Sequence, residues 1–386
     1  MKIAIILPHF YPYVGGGETM FYDVARGMAA RGHEVRVVAE KVDEEHSGHK
    51  VIDGIHVWYC PWKSMFGHPF PRTKDIERHI RWCDVVHTSI FTTAPVVSRL
   101  AKKYHKPSVL SVYEVRGFKW FWSDVFHRAM IYFAVEQFSC RQKFDVYHAI
   151  SEATKRDFRK YIGHKDVRRV YLADEMGKDA LGTDMTFSLR DYFGIGDEKV
   201  FLYYGRAGKT KGVHIYAQAI RYLQQRGIDL KKVRFCFLLG KEPAGPRAEF
   251  VENIEKWGLS DVVRIRESVM REELTACIAQ ADCVVVPSLT EGFGFSALEA
   301  CQIGTPLIYS DGGSLPEVAY GRCRSFRNRN ASHLAGRLAA VIREDPRAFR
   351  KVAEKHFTDE EMLGGLEEIY YEISQKAASG DTFELY

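Results

Sequence analysis

The feature that most limits what this chain can fold into is an alternation, met twice, of short, mostly apolar runs with longer stretches whose apolar residues recur at helical spacing. Residues 3–7 are apolar throughout; Gly15-Gly16-Gly17 follows, then Met20, Phe21, Val24, Ala25, Met28 and Ala29 before Gly32. The pattern is strand, glycine loop, helix. Residues 35–39, interrupted by Arg36, form the next mostly apolar run. Strands without polar alternation are buried on both faces, and short links through helices make their sheet parallel, so an α/β, doubly wound architecture is expected. Further strands are expected at 84–87, 108–112 and 145–150, with helices at 93–104, 124–143 and 153–161, the last capped by Ser151. Residues 173–197 lose periodicity around Gly177, Gly182, Gly194 and Gly196, as a linker does. A second alternation then places strands at 200–204, 233–239, 262–265, 283–286 and 307–309, with helices at 213–226, 247–257, 271–280 and 295–301. The expected plan is a Rossmann-like domain over 1–172, the linker, a second such domain over 198–358, and a final helix within 359–386. Met362, Leu366, Ile369 and Ile373 of that last segment share one helical face, suited to packing back on the first domain.

Composition excludes several classes. With 46% hydrophobic and 27% charged residues, the chain is neither disordered nor collagen-like. A net charge of +5, from 55 Lys and Arg against 50 Asp and Glu, is too small for a dedicated nucleic-acid binder. Eight cysteines form no Cys-x-x-Cys pair, and several sit in apolar contexts such as Phe235-Cys236-Phe237, which suits a reducing, cytoplasmic setting. The opening residues are expected to be a strand and not a signal peptide. No run approaches the roughly 18 uninterrupted apolar residues of a spanning helix, so any membrane contact is expected to be peripheral.

Ligands of open parallel sheets bind beyond the carboxyl ends of the strands, and candidate residues follow strands here. After the strand at 283–286 comes Pro287-Ser288-Leu289-Thr290-Glu291-Gly292-Phe293-Gly294-Phe295, with Glu299 further into the helix. Gly292 and Gly294 let backbone N–H groups at a helix start approach a phosphate, while Glu291 and Glu299 can accept hydroxyls, a combination suited to a nucleotide sugar. The bland alternative is a capping glutamate and a solvated one. After the strand at 200–204 comes Gly205-Arg206-Ala207-Gly208-Lys209-Thr210-Lys211-Gly212, whose Arg206 and Lys211 suit a diphosphate leaving group; a solvated basic turn is the alternative. Gly16 and Gly17 allow close backbone approach to the same diphosphate, although Gly-x-Gly-x-x-Gly is absent and a tight turn would look alike. No His, Cys or Asp cluster has metal-ligand spacing, and neither metal nor cofactor is expected.

Taken together, Gly15-Gly16-Gly17-Glu18, Arg31-Gly32-His33-Glu34, Ala149-Ile150-Ser151-Glu152, Gly205-Arg206 with Lys211-Gly212, Glu291 to Phe295 with Glu299-Ala300, and Gly312-Gly313 with Pro316-Glu317 resemble a GT-B fold glycosyltransferase of family 4. The resemblance spans most of the chain. It implies two Rossmann-like doubly wound domains facing a central cleft, and transfer of a sugar, with retention, from a nucleoside-diphosphate sugar to an acceptor hydroxyl. It gives Arg206 and Lys211 the donor diphosphate, Glu299 the ribose hydroxyls, and Glu291 with the following amides the sugar. Tyr113 stands where many members carry a histidine, and Leu172-Ala173-Asp174-Glu175 replaces their usual Asn-Gly pair. His9, Tyr113 and Glu114 are the acceptor-side candidates. A nucleotide-sugar-binding scaffold or sensor, or an epimerase, would share the donor site. Aromatics at 118, 120–122, 126, 132 and 133 mix with Arg116, Lys119, His127 and Arg128, and a basic cluster follows at Lys155, Arg156, Arg159, Lys160, Lys165, Arg168 and Arg169. Exposed, they would anchor the protein at the cytoplasmic face of a membrane and suit a lipid-linked acceptor; buried aromatics and a solvated basic helix are the alternative.

Overall fold

The computed structural model describes residues 1–13, 15–65, 68–123, 126–163, 166–173, 186–241, 243–344, 349 and 351–379. Asp124, Lys165, residues 174–185 of the expected linker and residues 380–386 lie outside these, as does the side chain of Trp122. The chain divides into two units, Met1–Ala173 with Phe357–Tyr386, and Asp174–His356.

The first unit holds β1 (Lys2–Ile6), β2 (Glu34–Glu40), β3 (Gly48–Ile52), β4 (Ile55–Cys60), the separate hairpin β5 (Lys63–Met65) and β6 (His68–Phe70), β7 (Val85–Ser89), β8 (Ser108–Val112), β9 (Val146–Ala149) and β10 (Val167–Arg169). Its sheet runs β10-β9-β8-β7-β1-β2-β4-β3, parallel except where β3 meets β4. The strands absent from the sequence expectation are the ones without a continuous apolar run. Exposed β3 is an edge, β4 alternates buried and exposed residues, and β10 is only three residues long.

The strands β7, β8 and β9 are wholly buried yet carry His87, Ser111 and His148. Polar groups so placed must be bonded to one another. The His148 Nε2 lies 2.9 Å from the Val170 carbonyl, which can only accept, so that nitrogen carries the proton and Nδ1 is the acceptor. Ser111 therefore donates to His148 Nδ1 at 2.7 Å and accepts from His87 Nε2 at 2.8 Å. His87 Nδ1 in turn accepts from the Tyr370 hydroxyl at 2.6 Å. One carbonyl thus sets every tautomer in a chain of five groups, and the chain joins three strands to the helix Asp359–Ser379. That helix buries Met362, Leu366, Ile369 and Ile373, and also Leu363 and Tyr370. Its Glu367 accepts from Arg31 at 2.7 Å and lies 2.7 Å from His33 Nε2.

The second unit holds β11 (Lys199–Gly205), β12 (Val233–Leu239), β13 (Val263–Glu267), β14 (Cys283–Val286), β15 (Leu307–Ser310), β16 (Gly321–Phe326) and β17 (Lys351–Val352). The order is β13-β12-β11-β14-β15-β16-β17, again parallel except for the last pair. Helices Val213–Gln225 and Ala331–Arg343 bury Ile220, Leu223, Leu334 and Leu338 against this sheet. In both units the winding reverses beside the first strand, between β1 and β7 and between β11 and β14. The crevice outside the carboxyl ends at such a reversal is the binding place of doubly wound folds. All eight cysteines are free, and burial pushes the Cys236 and Cys277 thiols up to about 12, so neither is a nucleophile at neutral pH. Among the described residues no helix is long and apolar enough to cross a membrane.

Candidate active site

Because β11 and β14 are neighbours, the loops that leave them lie side by side. The Leu289 N–H donates to the Thr210 carbonyl at 2.7 Å, stitching the two together. Lys211 and Glu291, 80 residues apart, meet with Nζ 2.7 Å from Oε1, and the Ser288 hydroxyl donates to the same oxygen at 2.8 Å. The ammonium is about 29% exposed and the carboxylate about 12%, so the pair is held in place yet open to a ligand. Arg206 stands exposed at the end of β11, its carbonyl accepting from the Tyr203 hydroxyl at 2.8 Å. Beyond Glu291, Phe293 is buried, and Gly294, at φ 101°, starts the helix Phe295–Ile303. Gly292 and Phe295 are half-buried, and Glu299 is 8% exposed inside that helix.

Two glycines make this geometry possible. Gly212 has φ +70°, and a Cβ there would lie 1.9 Å from the Pro287 carbonyl oxygen. Gly313, at φ +61°, would place one 2.4 Å from the Glu291 carbonyl oxygen and 2.6 Å from its nitrogen. The loop after β15 therefore lies directly against the backbone of Glu291. Ser314 completes the clasp: its hydroxyl donates to the Phe293 carbonyl at 2.6 Å and to the Glu291 carbonyl at 3.2 Å, while Asn328 donates to the Leu289 carbonyl at 2.8 Å. Sequence reasoning singled out Gly312-Gly313 but missed Ser288, Ser314 and Asn328, since isolated serines and asparagines carry no spacing signal. Gly212→Ala combines a left-handed backbone with a steric clash, and should cost about 2–4 kcal/mol. Gly245→Ala, where a Cβ meets nothing within 4 Å, is the control. Urea unfolding checks both, and equal midpoints would contradict the close approach.

In the first unit the candidates occupy the carboxyl edge of β1 and β8. A Cβ on Gly17 would lie 2.9 Å from the Tyr113 ring, so Tyr113 packs on the start of the helix Gly16–Ala30, with Phe21 edge-on to it at 6.2 Å. Burial, reinforced by Glu18, holds the Tyr113 phenol well above its ordinary value. It is a proton donor and not a base. His9 Nδ1 lies 3.3 Å from Glu40 Oε2, with its ring stacked on Tyr13 at 4.8 Å, and burial raises the Glu40 carboxyl. Glu114 accepts from Arg116 Nε at 2.9 Å. Sequence reasoning also missed Glu136, 1% exposed, whose carboxylate gathers the N–H groups of Arg116 and Gly117, each at 2.8 Å, and the Trp120 indole at 3.0 Å. It anchors the loop after β8, and no sequence spacing announces a carboxylate that serves distant backbone.

Comparison with known proteins gives these arrangements a context. Residues 14–173 match the family described as Glycosyltransferase Family 4, and residues 187–356 the one described as Glycosyl transferases group 1, one for each unit. The chain belongs to glycosyltransferase family 4. Among relatives of this family 4 chain is the MMP alpha-(1->4)-mannosyltransferase of Mycolicibacterium hassiacum, 32% identical over 37% of this chain and 34% of that protein. Another is one component of the human phosphatidylinositol N-acetylglucosaminyltransferase, 23% identical over 82% of this chain and 63% of the relative. The matches thus span about a third to under two thirds of those relatives' length. The sucrose-phosphate synthase of Thermosynechococcus elongatus superposes with a TM-score of 0.70 at 18% identity, over 98% of this chain and 97% of that one, which shows the GT-B fold.

Proposed function

We propose that this family 4 protein moves a sugar from a nucleoside diphosphate to an acceptor hydroxyl with retention at the anomeric carbon. The observation that carries this is the Lys211–Glu291 pair at the reversal between β11 and β14, set beside Gly292, Gly294 and the start of a helix that buries Glu299. In this reading the donor diphosphate is met by Arg206, Lys211 and the amides at the helix start, which combine cationic side chains with oriented backbone donors. Breaking the glycosidic bond loads negative charge onto the leaving phosphate, where fixed cations act most strongly. Glu291, released from Lys211 as the diphosphate takes the ammonium, accepts from the sugar hydroxyls, and Glu299 from the ribose. Attack comes on the face the diphosphate leaves, and a phosphate oxygen takes the acceptor proton. No metal is invoked. Gly16 and Gly17 would offer backbone to the diphosphate, with His9, Tyr113 and Glu114 on the acceptor side. The human relative is named for phosphatidylinositol, and we infer for this chain too an acceptor hydroxyl borne on a lipid or a lipid-linked glycan, met at a membrane surface.

The test is a thermal-shift and hydrolysis screen of UDP-, GDP- and ADP-sugars, with Glu299→Ala alongside. One donor should stabilise the protein and release its sugar slowly, and the variant should lose that shift. Silence with all three would overturn the donor site.

A further inference from the structure

We infer that the first unit docks on anionic lipid through a surface formed by the loop Gly117–Lys119, the helix Phe126–Cys140 and the basic end of the helix Glu152–Tyr161. This deepens the lipid-acceptor reading by naming the face that meets the membrane, and rests on that reading only for its purpose.

The helix Phe126–Cys140 buries Ala129, Glu136, Ser139 and Cys140 against the domain. A surface helix normally turns charge to water on its other side. This one turns Phe126 (72% exposed), Met130 (47%), Ile131 (45%) and Phe138 (61%). Phe126, Met130, Ala134 and Phe138 are four residues apart, so they follow one another along a single exposed stripe, and Ala134 is exposed with them. Phe118, 64% exposed, extends the apolar surface onto the loop, its ring 5.4 Å from Phe133 and 6.3 Å from Tyr161; Phe121 bridges Phe126 and Phe133 at 5.8 and 5.7 Å. The loop cannot fold inward to hide Phe118, because Glu136 holds its backbone from beneath.

Among the described residues, basic side chains predominate at the border of this patch. Arg128, Arg141, Arg156, Arg159 and Lys160 are exposed, and Arg141 donates to the Tyr161 carbonyl at 3.3 Å, which ties the basic helix end to the aromatic raft. The acidic groups nearby are already engaged: Asp157 with Lys119 at 2.6 Å, Glu114 with Arg116, Glu152 with Arg169 at 2.8 Å. Arg168 and Arg169, grouped with this cluster in the sequence, do not belong to it, since Arg168 is held by Asp166 and Glu372 and Arg169 by Glu152. A second copy pairing through the same face would bring two cationic borders together. An anionic bilayer instead supplies apolar depth for the rings and phosphates for the cations, at about 1 kcal/mol for each basic residue near the surface.

The full chain, without any nucleotide sugar, is sedimented with vesicles of phosphatidylcholine and of phosphatidylcholine mixed with phosphatidylglycerol. Binding to the mixed vesicles alone, weakened by salt, is expected. Phe118→Ser with Phe126→Ser should lower partitioning about tenfold or more, since each ring contributes more than about 1 kcal/mol on burial. Arg156→Glu with Arg159→Glu should abolish the preference for anionic lipid. These side chains are exposed, so melting temperatures should stay unchanged. Absence of binding, binding indifferent to lipid charge, or a dimer in light scattering that disappears with Phe126→Ser would each overturn the proposal. None of these results touches the donor screen, so the two fail separately.

Discussion

Lys211→Met is expected to lower turnover by about 100-fold or more, the scale on which a preorganised donor to developing charge is lost. The ammonium is the partner of Glu291, 2.7 Å away, and in the proposed reaction it transfers its attraction to the diphosphate. Because the charge on the leaving phosphate grows as the bond breaks, the loss should fall on kcat more than on donor affinity. The fold should survive, since Glu291 keeps the Ser288 hydroxyl as a donor. Glu291→Gln provides the converse: Lys211 is freed from its ion pair, so nucleoside diphosphate should bind at least as tightly while sugar transfer falls. Steady-state kinetics with the donor chosen by the screen, and nucleotide titration of both variants, check the pair. Near-normal turnover in Lys211→Met would remove the residue from the chemistry.

The second large effect concerns acid. His148 is fully buried, and desolvation lowers its pKa to about 4; the same cause, with His148 nearby, takes His87 well below its ordinary value. Both are neutral when folded, and each ring nitrogen is already committed in the chain from Tyr370 to the Val170 carbonyl. On unfolding, each would take a proton near its ordinary pKa of 6.5. Stability is therefore full above about pH 6.5 and falls as pH drops toward 4, by about 1.4 kcal/mol per pH unit once His148 titrates in the unfolded state. Near pH 4 that is about 3 kcal/mol from His148, and His87 acts in the same direction. His148→Gln can still donate to the Val170 carbonyl and does not titrate. Its stability, followed by urea unfolding between pH 7.5 and 5, should lack this part of the slope. Parallel curves for the two proteins would show that His148 takes up a proton when folded.

How far the sequence carries depended on whether a feature was local. The apolar runs at 108–112, 233–239 and 283–286, broken only by Ser108, Ser111 and Arg234, coincide with β8, β12 and β14, because a strand buried on both faces leaves a nearly continuous apolar signature. The Ser151 cap is likewise real, its hydroxyl accepting from the Thr154 N–H, since a cap is written in neighbouring residues. The strands β4 and β16 were not legible: one alternates polar and apolar residues and the other interleaves arginines, patterns that take meaning only beside a partner strand.

The candidate site divides in the same way. Glycine-rich loops after strands, with Arg206, Lys211, Glu291 and Glu299, were evident from residue type and order alone. That Lys211 rests on Glu291 was not, because strand order is set by how helices pack on the sheet, and only β11 beside β14 brings residues 80 apart into contact. His87 has no partner within its own stretch of sequence, and becomes one member of a five-group chain only when β7, β8, β9 and the helix Asp359–Ser379 meet. The aromatic segment at 117–133 left core and surface equally open. Hydrophobicity states that a side chain gains by leaving water, and tertiary structure alone decides whether the protein's own interior receives it; for Phe118, Phe126 and Phe138 it does not.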